Sequence, residues 1–203
     1  MNKRADYGLE DFLNDCRSCC QEFVTPADIV LELAPLLQKL LKDTAFLTQD
    51  HKQTNSKHYS RNPVYVCPTG SLSVFTMVWE PGQWTPVHDH GTWGVVGIVE
   101  GVLEERNFIR VDGREREDSG IKLVRGGSSL LCQGAVTTFV PNPDHIHRTG
   151  VGRGRERAIS IHVYGRDMNN YHIYDLELGR RARIELEDST LNIIAKSQGP
   201  GPV

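Results

Sequence analysis

Histidines clustered in the middle of this 203-residue chain offer the clearest chemistry. Six of the eight histidines lie between positions 88 and 172. His88 and His90 are separated by one residue, so on an extended strand they point to the same face. Two imidazoles on one inward face can bind a single metal ion. A hairpin edge with solvated histidines is the alternative interpretation of this pair taken alone.

A second histidine pair supplies the candidates for a third metal ligand. His145 and His147 are also two residues apart, so spacing alone leaves both of them open. Three neutral imidazoles would leave one side of the ion open and its positive charge uncompensated. Such a site favours anionic ligands.

A third cluster alternates polar and apolar residues in the segment AISIHVY. Ser160, His162 and Tyr164 share one face of a strand, so their side chains can form a hydrogen-bonded chain. If the polar face pointed outward from an edge strand, Ile161 and Val163 would form the core-facing side. The segment alone is compatible with both orientations.

Short β-rich segments must position these residues. From Val64 onward, segments separated by Gly and Pro recur at the spacing of an all-β sandwich or small barrel. Trp79, Trp84 and Trp93 are interpreted as barrel packing, with a wall of the histidine site as the alternative for Trp93. The predicted strands are VYVC, SVFTMVW, TPVHDH, WGVVGIV, LEERNFIRV, IKLV, SSLLC, AVTTFV, HIHRT, AISIHVY and HIYDLEL.

The first 62 residues predict a helical cap. Apolar residues at helical spacing begin at Leu9, and Thr25-Pro26 provides an N-cap followed by proline at the first helical position. Pro35 is expected to kink or split the second helix. We expect one domain, with helices and a connector in 1–62, the barrel in 63–187 and a flexible tail in 188–203.

Composition excludes several classes of protein. With 23 Lys plus Arg, 26 Asp plus Glu and 38% hydrophobic residues, the chain is typical of a globular protein with no pull toward nucleic acid. No apolar run is long enough to span a membrane, and no protein partner is evident. Five cysteines with no secretory apolar segment predict free thiols and a cytoplasmic location, and the pair Cys16-x-x-Cys19 lacks a second pair for zinc.

Three motifs show a resemblance to known families. The segment from Gly82 to His90, with Gly101 beyond it, resembles the first cupin motif, although Gly94 and Val95 stand where cupins commonly place a glutamate ligand. Together with the later His147-Arg148 and the Ser-x-His-x-Tyr segment, it resembles the cysteine dioxygenase family of thiol dioxygenases. The resemblance covers roughly residues 59–165.

The resemblance implies a mainly β cupin fold, a small jelly-roll barrel behind an N-terminal helical cap. It also implies an Fe(II) site, in which alignment with the family selects His147 over His145. The implied metal ligands are His88, His90 and His147; the implied catalytic residues are Tyr164, His162 and Ser160; and the implied substrate-binding residues are Arg61 and Tyr59.

The implied reaction adds both atoms of O2 to the sulfur of a small thiol carboxylate, with L-cysteine converted to cysteine sulfinic acid as the favoured case. Arg61 matches the cysteine-specific branch, but the gap between Arg61 and His88 matches the other branch. 3-Mercaptopropionate and mercaptosuccinate are therefore alternative substrates, although Arg166 aligns poorly with the arginine of that other branch. Gly94 stands where animal members carry a cysteine crosslinked to the active-site tyrosine, so no thioether to Tyr164 can form.

Two other functions compete with this hypothesis. A non-catalytic cupin that binds a small effector would consume no oxygen. A zinc or manganese cupin isomerase would need the missing glutamate ligand. His51, His58 and His172 are interpreted as surface or supporting residues.

Overall fold

The computed structural model describes residues 7–113, 117–141 and 145–186, so the tail expected at 188–203 lies outside the described residues. Two helices come first, α1 at Leu9–Glu22 and α2 at Pro26–Leu40, followed by a short 3-10 helix at Asp50–Lys52. The strands are β1 Ser60–Val66, β2 Ser73–Trp79, β3 Val87–His88, β4 Gly94–Glu100, β5 Val102–Arg110, β6 Leu123–Cys132, β7 Val136–Phe139, β8 Ile146–Gly150, β9 Ala158–Tyr164, β10 Asn170–Asp175 and β11 Arg180–Glu185.

The strands form two antiparallel sheets. The first has the order β1-β2-β9-β4-β7, and the second has the order β11-β10-β3-β8-β5-β6. This arrangement confirms the predicted mainly β architecture with a helical cap. Among the described residues, no helix combines the length and the apolar character needed to cross a membrane.

The helix α2 begins where the sequence predicts. The Thr25 hydroxyl accepts a hydrogen bond from the Asp28 backbone N–H at 3.2 Å, and Pro26 occupies the first turn. Of the two effects expected of Pro35, a kink or a split, the split is wrong, because α2 continues to Leu40. Its apolar face, which includes the fully buried Leu33 and Leu37, packs on the first sheet, and this burial offsets the hydrogen bond lost at proline.

Three strand assignments differ from the sequence prediction. The segment SSLLC and the last two residues of IKLV belong to the single strand β6, because pairing with β5 continues past a register shift opposite Gly126-Gly127. The strand β1 begins at Ser60, so Arg61 lies in a strand paired with β2 and not in the expected connector. The charged strand β11 was not predicted; its pairing with β10 holds it in the sheet.

The first sheet is covered on both sides. On one side, Val95, Ile161 and Val163 join the apolar core formed with the helices. A Cβ atom added at Gly97 would lie 2.8 Å from Leu41 Cδ1, so glycine allows this close approach of the helical cap to β4. The other side faces the barrel interior, where the predicted functional residues lie.

Candidate metal centre

Three histidines from neighbouring strands meet in the barrel. β3 lies between β8 and β10, with His88 directly opposite His147, and His90 follows two residues later. The ring centroids of His88 lie 4.7 Å from those of both His90 and His147, and the latter two are 4.9 Å apart. One ring nitrogen from each residue lies within 4.8 Å of the other two, so the group can hold one metal ion.

The hydrogen bonds of these rings suit metal binding. His88 Nδ1 donates to the Pro86 carbonyl at 3.0 Å, which leaves Nε2 with a lone pair. His147 Nδ1 lies 2.6 Å from Glu105 Oε1. Buried nitrogens of His90 (Nδ1) and His147 (Nε2) have no hydrogen-bond partner among the described residues. Burying a nitrogen without a partner costs free energy. A coordinated metal ion would supply the missing partner of both nitrogens.

Electrostatics also keep the imidazoles in the form that binds metals. Burial lowers the pKa of His88, and burial together with the neighbouring imidazoles lowers the pKa values of His90 and His147 well below the usual range. The three rings are therefore neutral at neutral pH. Three neutral imidazoles fit a divalent transition metal such as Fe(II).

The structure separates the two histidines that spacing alone left open. His147 joins His88 and His90, whereas His145 Nε2 lies 3.4 Å from Glu105 Oε1. His145, His147 and Glu105 form a second group whose candidate ligand atoms also lie within 4.8 Å of one another. The two groups share only His147.

The polar residues of β9 form the chain expected from their alternation. Ser160 Oγ lies 2.8 Å from His162 Nε2, and His162 Nδ1 lies 3.1 Å from the Tyr164 hydroxyl. Because β9 is paired with both β2 and β4, it is a central strand and both of its faces are buried. Burial lowers the pKa of His162 to about 3, so this ring is neutral.

Trp79 extends this chain beyond what the sequence indicated. Its indole Nε1–H donates to Ser160 Oγ at 3.0 Å, and its ring stacks on Tyr59 with centroids 4.7 Å apart. The tryptophan interpreted as packing thus also has a polar contact in the interior. A lone indole in an apolar strand carries no sequence signal for such a contact.

One buried cavity contains all the predicted site residues except Ser160. The residues that line it are Tyr59, Arg61, Met77, Thr85, Pro86, His88, His90, His147, Thr149, His162, Tyr164, Met168 and Tyr171. Tyr171 and the two methionines were not predicted, because no motif marks their positions. The Tyr171 ring lies 5.9 Å from His88, so it forms part of the wall beside the histidines.

Arg61 provides the permanent positive charge among the described residues of this cavity. Its side chain is 3% exposed, and a guanidinium N–H donates to the Met168 carbonyl at 3.0 Å. The guanidinium carbon lies 3.7 Å from the Phe75 ring centroid. Burial lowers the pKa of Arg61, while burial raises the pKa of the adjacent Tyr59 to about 12.

Arg166 has a different position. Its guanidinium donates to the His90 carbonyl at 2.8 Å and to the Asn170 carbonyl. It does not belong to the described residues that line the cavity. Arg166 therefore supports the backbone of the histidine segment from outside.

A buried carboxylate between His88 and His90, for which no role was predicted, also holds this segment in place. Asp89 accepts hydrogen bonds from the Tyr174 hydroxyl at 2.8 Å and from His172 Nδ1 at 3.0 Å. His172 therefore supports the site, one of the two interpretations left open for it. His51 and His58 lie elsewhere, bonded to the Thr48 backbone and the Tyr59 carbonyl.

The space beside Gly94 is filled by an aromatic ring. Gly94 pairs with Tyr164 on one side and with Phe139 on the other. A Cβ atom at Gly94 would lie 2.2 Å from Phe139 Cζ. The ring centroids of Phe139 and His90 lie 4.3 Å apart. The Phe139 ring therefore occupies the space that a larger side chain at position 94 would need.

Comparison with known proteins places the chain in a family. The family description "Cysteine dioxygenase type I" matches residues 17–177. An uncharacterized protein with a double-stranded β-helix domain from Klebsiella pneumoniae is 15% identical, covering 70% of this chain and 99% of its own, with a TM-score of 0.44. A cupin-like protein from Thermotoga maritima is 16% identical over 66% of this chain and 84% of its own, with a TM-score of 0.40.

The family match covers most of the chain and includes the strands that carry the three histidines, Arg61 and Tyr164. The predicted mainly β fold with two N-terminal helices is confirmed. The chain belongs to the cysteine dioxygenase type I family.

Proposed function

We propose that this protein is an iron-dependent dioxygenase that oxidises the sulfur of a small thiol carboxylate. L-Cysteine is the proposed substrate and cysteine sulfinic acid the proposed product. The observation that supports this most strongly is one buried cavity that holds three neutral histidines together with a buried arginine. The reaction R–SH + O2 → R–SO2H balances without an external reductant.

His88, His90 and His147 are the proposed ligands of an Fe(II) ion. When bound, the ion supplies redox chemistry with dioxygen and lowers the pKa of the substrate thiol. The three imidazoles add no negative charge of their own, so an anionic thiolate is electrostatically favoured at this end of the cavity.

Arg61 is the proposed partner of the substrate carboxylate. A charge-assisted hydrogen bond in a buried cavity fixes both the position and the direction of a small molecule. Arg61 lines the cavity, whereas Arg166 is bonded to the His90 and Asn170 carbonyls. This difference supports the cysteine-type assignment, in which the arginine of the Tyr59-Ser60-Arg61-Asn62 segment holds the carboxylate.

The chain from Trp79 to Tyr164 has a preferred direction. An indole N–H can only donate, so Ser160 Oγ accepts from Trp79. The Ser160 hydroxyl hydrogen is then best satisfied by His162 Nε2. In neutral His162 the proton consequently lies on Nδ1, which donates to the Tyr164 oxygen. The Tyr164 hydroxyl hydrogen is left to donate into the cavity, toward negative charge on the bound substrate.

Oxygen uptake by Fe(II)-loaded protein tests this function. Cysteine, 3-mercaptopropionate and mercaptosuccinate are compared side by side, with wild-type protein and Arg61→Ala. We expect uptake with cysteine dominant, and a selective rise of KM for carboxylate-bearing thiols in Arg61→Ala when cysteamine serves as the reference without a carboxylate. A charge-assisted hydrogen bond contributes about 1.5–3 kcal/mol, so KM should rise about tenfold to a hundredfold.

Other outcomes would change the proposal in specific ways. Dominance of another thiol keeps the chemistry and overturns the substrate. An equal change of KM for cysteamine and for the carboxylate-bearing thiols in Arg61→Ala contradicts the role of that residue. No uptake with any thiol, despite bound iron, contradicts the enzyme assignment and favours a cupin that only binds a small molecule.

We also propose a cytoplasmic location for this reaction. All five cysteines are free thiols in the structure, and Cys16 is buried within the helical cap. Free thiols are typical of reducing compartments.

A further inference from the structure

A buried carboxylate lies behind the proposed metal ligand His147. Glu105 lies on β5 and is 5% exposed. Its Oε1 atom lies 2.6 Å from His147 Nδ1 and 3.4 Å from His145 Nε2. The neighbouring Glu104 differs, because its carboxylate bonds to Arg106 at 2.8 Å and lies nearer the surface.

Sheet pairing explains how Glu105 reaches this histidine. β5 and β8 are antiparallel, with Asn107 opposite His147 and Glu105 opposite Thr149. Glu105 is therefore the diagonal neighbour of His147 on the same face of the sheet, a distance that long side chains can span. Thr149 on that face also lines the cavity, so the carboxylate and the proposed metal ligands share one interior.

The contact determines which nitrogen His147 presents to the cavity. A carboxylate can only accept, so the proton of neutral His147 lies on Nδ1 and Nε2 keeps its lone pair. That Nε2 atom is buried and has no hydrogen-bond partner within the described part of the chain. A buried carboxylate is costly unless it forms strong hydrogen bonds, and His147 provides the closest one.

We propose that Glu105 is a positioning residue that orients His147 as an Nε2 ligand and strengthens its bond to the metal. This inference rests on the proposed function, because it takes His147 as a metal ligand. A carboxylate that accepts from a ligating imidazole fixes the tautomer and ring orientation and makes the imidazole a stronger donor. His145 contacts the same oxygen from farther away and is the weaker partner.

Metal affinity measured with Co(II) tests the proposal without depending on turnover. Co(II) replaces Fe(II) as a stable divalent probe whose visible absorption reports the ligand field. Binding is titrated in wild type, Glu105→Gln and Glu105→Ala, with Glu104→Gln as the matched control. Circular dichroism verifies that each variant is folded.

The expected ranking follows from what each side chain retains. Loss of such a carboxylate weakens metal binding about 10- to 100-fold, so Glu105→Ala should lie near the upper end of that range. Glu105→Gln keeps an oxygen that accepts from Nδ1 but loses the charge, so its affinity should lie between wild type and Glu105→Ala, with a shifted Co(II) spectrum. Glu104→Gln should match wild type in affinity and spectrum.

Each contrary result has a distinct meaning. Wild-type affinity and spectrum in Glu105→Gln would overturn the positioning role, and this isosteric variant decides the question even if Glu105→Ala fails to fold. Equal weakening in Glu104→Gln would also overturn it, because the effect would then be one of general charge. Failure of wild-type protein to bind Co(II) would instead refute the proposed metal centre.

Discussion

The strand β9 presents Ile161 and Val163 to the helical cap and Ser160, His162 and Tyr164 to the barrel interior. Both sets are buried: the apolar residues and Ser160 are 0% exposed, and the other two are 4% and 3% exposed. The helix-facing side is closely packed apolar core. The inner side consists of hydrogen-bonded polar groups next to a cavity.

The two faces have different energetic roles. Burial of branched aliphatic side chains stabilises the fold directly. Burial of hydroxyl and imidazole groups costs free energy unless each is hydrogen-bonded, and the chain from Trp79 to Tyr164 meets that need. The helical cap therefore stabilises a sheet whose other face can hold buried polar residues.

His147→Ala should have the largest effect on the inner side. Mutation of a residue that hydrogen-bonds to a metal ligand weakens metal binding roughly 10- to 100-fold, and removal of the ligand itself should weaken it more. Oxygen uptake should be lost together with the metal. Metal titration and oxygen electrode measurements test this, with His51→Ala as a control histidine outside the cavity. A His147→Ala variant that retains iron and activity would move the ligand to His145.

Tyr164→Phe should separate metal binding from turnover. The variant keeps the three histidines but lacks the hydroxyl that faces the cavity, so iron content should be unchanged. Loss of one preorganised donor costs about 100-fold in kcat. Steady-state kinetics of the iron-replete variant provides the test, and an unchanged kcat would remove the proposed role of Tyr164.

Trp79→Phe should have a smaller effect, because it acts through Ser160 and His162. The variant loses the indole donor that sets the direction of the chain. Loss of about 1 kcal/mol of hydrogen bonding corresponds to a fivefold fall in kcat, with iron content unchanged. Trp84→Phe is the matched control, since Trp84 contacts Arg106 and Arg148 instead of this chain. Equal kcat values for the two variants would contradict the proposed direction.

Ile161→Val should leave turnover unchanged and affect only stability. One buried methylene is lost on the helix-facing side, which should lower the free energy of unfolding by about 1 kcal/mol. Denaturant titration and oxygen uptake measure the two quantities. A large fall in kcat without loss of stability would show that the two faces of β9 are not independent.

Local patterns predicted most of the strands but not their limits. SVFTMVW matches β2 because a β-rich run is bounded by turn residues. The predicted separation of IKLV and SSLLC into two strands at Gly126-Gly127 is wrong, because pairing with β5 continues across a register shift. The strand β11 has no apolar alternation, and its long-range pairing with β10 is not visible in its own sequence.

The histidines of the site had a local signal, whereas their supporting residues had none. His88 and His90 form a motif within three residues. Glu105 reaches His147 across 42 positions, and Asp89 reaches His172 across 83. These contacts depend on which strands lie side by side, so spacing along the chain could not predict them.

Anomalous diffraction from crystals grown anaerobically with Fe(II) tests the central claim most directly. We predict one iron peak within coordination distance of a ring nitrogen from each of His88, His90 and His147. The metal would then lie on the inner side of the barrel, with Glu105 behind His147. A peak bounded by Glu105, His145 and His147 Nδ1, or no peak in iron-loaded crystals, would contradict the account.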